Sequence, residues 1–384
     1  MSNSQVHSTE QIENKAEEAF LEPNLLDEIA PETAMERPHM KGRLLNAFLC
    51  IFAFGMLVGY LVFAGEGEDL AKALSSMQWF WLGLALVMVV GYWALESVCM
   101  QIFSQDMYPK FKFKNTFLCT IIGQYFNCIT PLSSGGQPFQ AYYYNRFGMP
   151  LSKSLPMLLC RFVSYQLTTS AFCAVVLLLR LQYFVDDNPA LTTLVIIGFV
   201  GGLGLLSALL AIAFWRSGIV KLVTIVFRLL AKMHIVKNPD EKIAGVTKTI
   251  DDCYVEMHYL LKRPKLFAKS IGVTFVQLLE YFAISYVIMR GLGCDGDILT
   301  VVSCQAFVYM ISSFVPTPGA MGAAETSYAL FFGTIYPSAS FVALSTFIWR
   351  FLTFYFPIVT GMVVTLLVNR KQAVQTAERE KLSA

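Results

Sequence analysis

The sequence contains several apolar stretches that are each long enough to cross a lipid bilayer. Because a hydrocarbon core is about 30 Å thick, a helix of roughly 20 apolar residues can span it. The chain of 384 residues is 55% hydrophobic and only 15% charged, which is little charge for a soluble protein of this size. We therefore predict an all-α polytopic membrane protein. The predicted spans are residues 44–64, 79–103, 152–179, 190–215, 267–289 and 338–368.

Two other apolar runs are shorter and end in unusual polar sequences. Residues 116–130 lead into "PLSSGGQPFQAYYYNRFG", and residues 298–315 lead into "PTPGAMGAAETSYALFFG". Runs of 15 and 18 residues are marginal for a span. Irregular backbone is tolerated at membrane depth only where it is buried in protein or lines a wet cavity. We predict that each run turns back as a re-entrant hairpin; the alternative is that the prolines merely kink ordinary helices.

The distribution of lysine and arginine predicts the orientation. Ten basic residues lie in the loop 216–266, and others lie in 110–114 and after residue 368. By contrast, the loops 181–190 and 291–297 contain none. Because basic loops stay on the cytoplasmic side of a membrane, we predict a multi-pass protein of the cell membrane with both termini in the cytoplasm.

About six full spans and two hairpins that enter from opposite sides place every basic loop on the cytoplasmic side. One hairpin, 116–130 with 137–147, would enter from the cytoplasm. The other, 298–315 with 321–335, would enter from outside. The two halves of the chain then form an inverted-topology repeat, which is the architecture of many transporters.

The two polar sequences also align with each other at a shift of 185 residues, from Pro131 to Pro316. This overlay places Gln140 opposite Glu325. Its identical pairs are Pro131 and Pro316, Tyr143 and Tyr328, Phe147 and Phe332, and Gly148 and Gly333. Corresponding interrupted segments in two halves indicate a binding site, so we expect the two hairpins to meet near the middle of the membrane. The predicted turn residues are Pro131, Gly135, Gly136, Pro316, Pro318, Gly319 and Gly322.

Five ionisable residues lie inside or beside apolar segments, where charge is costly and usually functional. They are Glu96, Arg161, Glu280, Glu325 and Arg350. Arginine binds phosphate well because its planar fork donates two parallel hydrogen bonds. One hypothesis is that the two arginines bind a lipid phosphate while Glu325 binds a cationic headgroup or carries a proton. The other is that the arginines form structural ion pairs with the three carboxylates.

The first polar sequence offers further groups for substrate binding. Ser133, Ser134, Gln137 and Gln140 carry hydroxyls and amides close to the expected start of a half-helix. A helix N-terminus bears partial positive charge and favours an anion. Simple turn chemistry would also explain the serines and glycines.

The domain organisation follows from these segments. Residues 1–43 form an acidic cytosolic tail, predicted to be disordered, and residues 369–384 a basic cytosolic tail. Residues 44–368 form the membrane domain, with halves 44–189 and 190–368. The second half contains a cytosolic insert, 216–266, whose amphipathic part 218–236 is predicted to lie on the inner leaflet. The cysteines and histidines show no metal-ligand spacing, so neither a metal nor a cofactor is predicted.

The two hairpin sequences resemble the lysylphosphatidylglycerol synthase transmembrane region, the flippase-like domain of the multiple-peptide-resistance-factor proteins. The resemblance rests on "ITPLSSGGQPFQAYYYNRFGMPLSKSLPMLLCRF", on "SSFVPTPGAMGAAETSYALFF" and on the later "WRFLTFYFPIVTG". It covers residues 44 to 368. Gln137 differs from the glutamate that many members have at this place.

The resemblance implies that the chain moves a phospholipid between leaflets. In that family the lipid is aminoacylated phosphatidylglycerol, and the activity contributes to resistance against antimicrobial peptides. The family's separate aminoacyl-transferase domain is expected to be absent here, because the chain ends shortly after the last predicted span. The implied partners are anionic or aminoacylated phospholipids, with no role for nucleic acid. A homo-oligomer and a separate lipid-modifying enzyme are further partner hypotheses.

Two other functions fit the same residues. The chain could be an intramembrane transferase acting on phospholipid or polyprenyl phosphate, for which a phosphatidylglycerol lysyltransferase label could be inherited from the family. It could also be a secondary transporter of a small solute. We expect a transporter rather than an enzyme, because the familiar motifs of serine hydrolases, zinc proteases and nucleotide-binding proteins do not occur in a useful context.

Overall fold

The structure of the chain is a computed structural model. It describes residues 67–187, 198–204, 215–232, 239–313 and 315–383, together with the single positions 55, 59, 193, 196 and 207. These residues belong to one compact unit, which spans residues 53–384.

The described residues are helical, apart from short turns. In chain order the helices are α1 (Gly67–Ser75), α2 (Trp79–Met107), α3 (Phe113–Ile129), α4 (Gly136–Arg146), α5 (Leu151–Asp187), α6 (Arg216–Lys232), α7 (Pro239–Leu261), α8 (Pro264–Gly291), α9 (Ile298–Ser312), α10 (Ala323–Phe332), α11 (Ala339–Arg350) and α12 (Phe356–Ser383). A π-helical turn, Phe351–Tyr355, joins α11 to α12.

Four described helical segments are long and apolar enough to cross a membrane. They are Trp79–Met107, Leu151–Arg180, Pro264–Gly291 and Ala339–Lys371. They confirm the apolar helices predicted at 79–103, 152–179, 267–289 and 338–368. The predicted spans 44–64 and 190–215 fall outside the described residues, apart from 198–204, 215 and the single positions named above.

The two short apolar runs form helix–turn–helix units, which we call hairpin 1 (α3 and α4) and hairpin 2 (α9 and α10). The arms of hairpin 1 run antiparallel, since Phe126 stacks on Phe139 and Gly123 lies against Gln140. In hairpin 2 the rings of Phe307 and Phe331 lie 6.0 Å apart, which holds α9 against α10. The helix pairs are those expected from the sequence, but α9 ends at Ser312 and α10 at Phe332.

Helix α8 is central to the packing. It contacts α2, α5, α9 and α11, and its residues Leu278 and Phe282 are fully buried in the main hydrophobic core. Helix α12 packs on hairpin 1, where Gly361 lies against Ile121 and Tyr125 of α3. The two hairpins are therefore attached to a common framework of long helices.

Helix α9 begins with a defined cap outside the long apolar helices. The Asp297 carboxylate accepts hydrogen bonds from the hydroxyl and the backbone N–H of Thr300, at 2.7 and 2.9 Å. These bonds, with Arg180 2.7 Å away, lower the pKa of Asp297 below its usual value. The cap and the ion pair connect the end of α5 to the start of hairpin 2.

Helix α6 has the amphipathic character expected of the insert. Four apolar residues at i, i+3, i+4 and i+7 are exposed on one side: Leu222, Ile225, Val226 and Leu229. Basic residues such as Lys221 and Arg228 lie on the same helix. The position of this helix on the inner leaflet stays a prediction.

Candidate functional site

The two hairpins contain turns with the same backbone pattern. Turn 1 is residues 130–135 and turn 2 is residues 315–322. Each has a proline followed by two residues in the left-handed region, then a glycine that precedes the second helix. The left-handed residues are Leu132 (φ 54°) and Ser133 (φ 52°) in turn 1, and Gly319 (φ 59°) and Ala320 (φ 53°) in turn 2.

Three of these four left-handed residues are not glycine, and within the described ranges they are the complete set of non-glycine residues with positive φ. A left-handed L-residue costs roughly 1–2 kcal/mol. Such strain persists only where the surroundings enforce it, and it clusters at functional sites. Its concentration in turns 1 and 2 marks these turns as the candidate site.

The two turns touch each other. Pro131 and Pro318 form an isolated antiparallel β-bridge. The expectation that the hairpins meet is therefore confirmed for their turns. The register, however, differs from the sequence overlay. The helices after the turns begin at Gly136 and Ala323, so equivalent positions are 187 residues apart rather than 185.

Neutral hydrogen bonds hold turn 1. The Gly135 N–H donates to the Thr130 hydroxyl at 2.8 Å, and the Gly136 N–H donates to the Asn127 side-chain oxygen at 3.0 Å. The start of α4 thus has two of its free donors satisfied by the preceding helix. This weakens the expectation of an anion site made from these two amides.

The other predicted groups of hairpin 1 separate into two sets. Ser133 and Ser134 are exposed, and Ser134 donates to the carbonyl of Pro131 at 2.9 Å. Gln137 is partly buried. Gln140 is buried and packs against Gly123 of its own hairpin, so it serves the packing of α3 on α4.

A buried ion pair holds turn 2. Arg350 Nε lies 2.7 Å from Glu325 Oε1, although its N–H does not point at that oxygen. The guanidinium also donates to the carbonyls of Gly319 at 3.0 Å and Ala320 at 3.5 Å. The side chains of Arg350 and Glu325 are 6% and 26% exposed. Arg350 therefore fixes the left-handed part of the turn.

Glu325 has a second role in the same turn. Its Oε2 accepts the Gly322 N–H at 2.7 Å, which caps the start of α10. Arg350 lies directly before the π-helical turn, and such turns are frequent at functional sites. Glu325 and Arg350 are thus brought together, as the ion-pair hypothesis proposed.

A second buried ion pair connects three long helices. Arg161 of α5 pairs with Glu96 of α2 and donates to Gln277 of α8 at 2.8 Å. Gln277 in turn donates to Glu96 at 2.7 Å, and Thr274 accepts from Arg161 at 3.2 Å. Arg161 is 2% exposed and Glu96 is 12% exposed. Protein groups therefore pair both charges, although the Nε of Arg161 is buried without a hydrogen-bond partner among the described residues.

Tyrosines extend this network towards hairpin 2. The Arg161 guanidinium lies over the Tyr165 ring at 5.1 Å, and the Tyr165 hydroxyl is 2.7 Å from that of Tyr309 in α9. Tyr281 lies 5.9 Å from Tyr309 and 5.0 Å from Tyr92, measured between ring centroids. Sequence reasoning missed this cluster, as it missed Gln277 and Thr274. The signal for those two was a polar residue every third position in α8, ending at Glu280.

Among the three predicted site carboxylates, Glu280 is the one that forms no ion pair with an arginine in the described residues. Its side chain lies against Gly91 of α2, so close that a Cβ there would be 2.3 Å from Oε1. Its Oε2 is buried without a hydrogen-bond partner among the described residues. In those residues there is also no group of three or more His, Cys, Asp or Glu side chains that could hold a metal ion.

Comparison with known proteins identifies similar sequences. The family model described as "Lysylphosphatidylglycerol synthase TM region" matches residues 48–361. A UPF0104 membrane protein from Archaeoglobus fulgidus is 24% identical over 316 residues, which cover 78% of this chain and 89% of that protein. A second UPF0104 membrane protein, from Methanocaldococcus jannaschii, is 21% identical over 332 residues, or 85% of this chain and 96% of the relative.

Proposed function

Because the chain belongs to the lysylphosphatidylglycerol synthase transmembrane region family, we propose that it moves a phospholipid between the two leaflets of the cell membrane. The lipid is anionic or aminoacylated, such as aminoacylated phosphatidylglycerol. On this proposal about six segments span the membrane fully, and the two hairpins are re-entrant in an inverted-topology repeat. Both termini lie in the cytoplasm.

The contact between Pro131 and Pro318 carries this proposal. Helix α3 has 17 residues and α9 has 15, so each is only about 22–26 Å long, shorter than the bilayer core. Two such helices that enter from opposite faces and meet at their turns place those turns within the membrane. Many transporters have their substrate site at such a place, where two inverted repeats meet near the middle of the membrane.

Arg350 is the residue best placed to bind a lipid phosphate. It lies at the contact between turn 2 and the rest of the fold, and its present anionic partner is a carboxylate that is a quarter exposed. We propose that the phosphate replaces Glu325 as the partner of Arg350 during transport. Because Arg350 also holds the carbonyls of Gly319 and Ala320, this exchange would be transmitted directly to turn 2. Arg161 remains in its structural network.

A leaflet-resolved assay in proteoliposomes tests the proposal. Fluorescent phospholipids of a headgroup panel are incorporated, and a membrane-impermeant quencher reports the outer-leaflet fraction. We expect the wild type to move at least one anionic or aminoacylated lipid and Arg350→Gln to lose most of this activity. The matched control is Arg290→Gln, because Arg290 forms an exposed ion pair with Asp295 at the end of α8.

Two outcomes would contradict this function. Wild-type protein that changes the chemical identity of a lipid, measured by mass spectrometry of the extracted lipids, would favour an intramembrane transferase. Wild-type protein that moves no lipid of the panel but takes up a soluble solute would favour a secondary transporter. Equal activity of Arg350→Gln and Arg290→Gln would remove Arg350 from the substrate site.

A further inference from the structure

The ionisable residues in the apolar segments of the described helices do not balance. Away from the helix ends, where Lys153 and Lys269 lie near the starts of α5 and α8, three are carboxylates, Glu96, Glu280 and Glu325, and two are arginines, Arg161 and Arg350. Each arginine is already paired, Arg161 with Glu96 and Arg350 with Glu325. Glu280 is the carboxylate that remains.

Glu280 lies far from the ends of α8, which begins at Pro264 and ends at Gly291. One oxygen lies against the backbone of Gly91, and the other is buried without a hydrogen-bond partner in the described part of the chain. The residue as a whole is partly exposed. An ionised carboxylate is expensive where one of its oxygens is buried with neither a hydrogen-bond donor nor a cationic side chain beside it.

Side chains on the packed helices do not supply that charge. The titratable or charged groups on α8 and on the helices packed against it include Tyr92 and Glu96 on α2, Arg161 and Tyr165 on α5, Tyr309 on α9, Arg350 on α11, and Tyr281 and Tyr286 on α8 itself. Glu96 is engaged with Arg161, and the hydroxyls of Tyr165 and Tyr309 bond each other. The ring of Tyr92 packs on that of Tyr281.

The apolar segments mostly outside the described residues cannot supply it either. Residues 44–64 and 190–215 contain no lysine, arginine or histidine. These two segments therefore provide no cationic partner for Glu280, which points to solution or the substrate as the source of one. The smallest such cation, and the one that needs no further ligands, is a proton.

We propose that Glu280 is a reversible proton-binding site within the membrane, and that its protonation couples lipid movement to the proton gradient. The coupling part rests on the function proposed above; the proton-binding part does not. When Glu280 is neutral, the interface between α2 and α8 closes tightly over Gly91. When Glu280 is ionised, this interface must open to water. Helix α8 also carries Gln277 and Tyr281, which link this interface to Arg161 and to α9.

Carbodiimide labelling tests proton binding without any transport. Dicyclohexylcarbodiimide adds to protonated carboxylic acids in apolar surroundings, and mass spectrometry locates the adduct. We expect labelling of Glu280 in acidic buffer, with far less at Glu96 and Glu325, whose charges are paired. The Glu280 adduct should fall about tenfold per pH unit once the group ionises. Equal labelling of all three carboxylates, or labelling independent of pH, would overturn the proposal, as would protection by sodium at constant pH.

Two variants separate the role of Glu280 from a loss of folding. Glu280→Gln should give no adduct at position 280 while retaining the melting temperature of the wild type. Gly91→Ala retains the carboxyl group but pushes a methyl group against it, so its labelling should follow a different pH dependence. An unchanged pH profile in Gly91→Ala would contradict the placement of the site at this interface.

The proteoliposome assay then tests coupling. Under an imposed proton gradient the wild type should move lipid faster than without one. The Glu280→Gln variant should move lipid at the same rate with and without the gradient. If Glu280→Gln responds as the wild type does, coupling through Glu280 is wrong. If the wild type moves no lipid while Glu280 labels as expected, the proposed function fails and the proton site stands.

Discussion

Turns 1 and 2 share a backbone course but are held by different chemistry. In turn 1, two neutral side chains accept hydrogen bonds from backbone N–H groups: Thr130 from that of Gly135, and Asn127 from that of Gly136. In turn 2, a carboxylate caps the helix and an arginine binds both the carboxylate and the turn carbonyls. The two turns therefore have a similar backbone conformation without having similar charges around them. Turn 2 is held by a charged pair, whereas the bonds that hold turn 1 are neutral.

The two turns also differ in their exposure and in how they carry backbone strain. Leu132 in turn 1 is left-handed and its side chain is 55% exposed. In turn 2 the first left-handed position is Gly319, and a Cβ there would lie 2.0 Å from the ring of Phe354. Close packing therefore reaches a left-handed residue in turn 2, whereas in turn 1 it reaches the glycine before α4, where a Cβ on Gly135 would lie 2.6 Å from Thr130.

The largest effect is expected when the charge in turn 2 is removed. In Arg350→Gln, Glu325 loses its cation, and breaking a fully buried pair costs about 3–5 kcal/mol. Because Glu325 is a quarter exposed, we expect the lower end of that range in the free energy of unfolding, measured by denaturant titration in detergent. The double variant Arg350→Gln with Glu325→Gln should recover part of the loss. A double variant no more stable than Arg350→Gln would show that the pair is not what stabilises turn 2.

The next largest effect concerns the packing of turn 2. Gly319→Ala must place a methyl group into the ring of Phe354 and adopt φ near 59°. Left-handed strain and overpacking together should lower the free energy of unfolding by about 2 kcal/mol or more. The matched control is Gly319→Ala in a Phe354→Leu background, where the ring is gone and the left-handed strain remains. The loss of melting temperature caused by Gly319→Ala should be smaller in that background, and an equal loss in both backgrounds would contradict the close approach of Phe354.

Sequence patterns predicted the helices and the meeting of the turns, but not the register between the hairpins. The overlay at 185 residues followed side-chain identities such as Tyr143 with Tyr328. The backbone instead follows the spacing from proline to the glycine before the next helix, which is four residues in both turns, Pro131 to Gly135 and Pro318 to Gly322. The conformation of a turn depends on which backbone positions need proline or glycine. Identical aromatic residues can arise from packing alone, so they did not indicate the register.

The sequence was enough to predict which charged residues belong to the candidate site, but not which residues they pair with. Each of the five ionisable residues stood out because charge is rare in apolar segments. Which carboxylate meets which arginine depends on helix rotation and tilt, which sequence does not give. Neutral polar residues such as Gln277 were overlooked because a single amide in an apolar helix is a weak signal. Tyrosines were overlooked because they also serve as interface anchors.

A smaller effect is expected in turn 1, where the bonds are neutral. Thr130→Val removes the acceptor of the Gly135 N–H, and a buried donor left unsatisfied costs about 1–3 kcal/mol. Since this donor is only partly buried, we expect about 1 kcal/mol in the free energy of unfolding. Ser134→Ala is the control, because that hydroxyl is exposed and its loss should be within about 0.5 kcal/mol. A loss in Thr130→Val as large as that of Arg350→Gln would remove the contrast between the turns.

The smallest effect tests whether the strain in turn 1 serves function. Leu132→Gly relieves a left-handed residue, which is worth about 1–2 kcal/mol, but glycine loses about 0.5–1 kcal/mol through its greater freedom when unfolded. Stability should therefore rise by about 1 kcal/mol or less, whereas Leu132→Ala retains most of the strain and should stay near the wild type. Strain that is merely tolerated would leave lipid movement unchanged in both variants. If instead turn 1 must hold this shape to meet Pro318, Leu132→Gly should lower the rate of lipid movement while raising the melting temperature. A rate that rises together with stability would show that the strain in turn 1 hinders lipid movement rather than serving it.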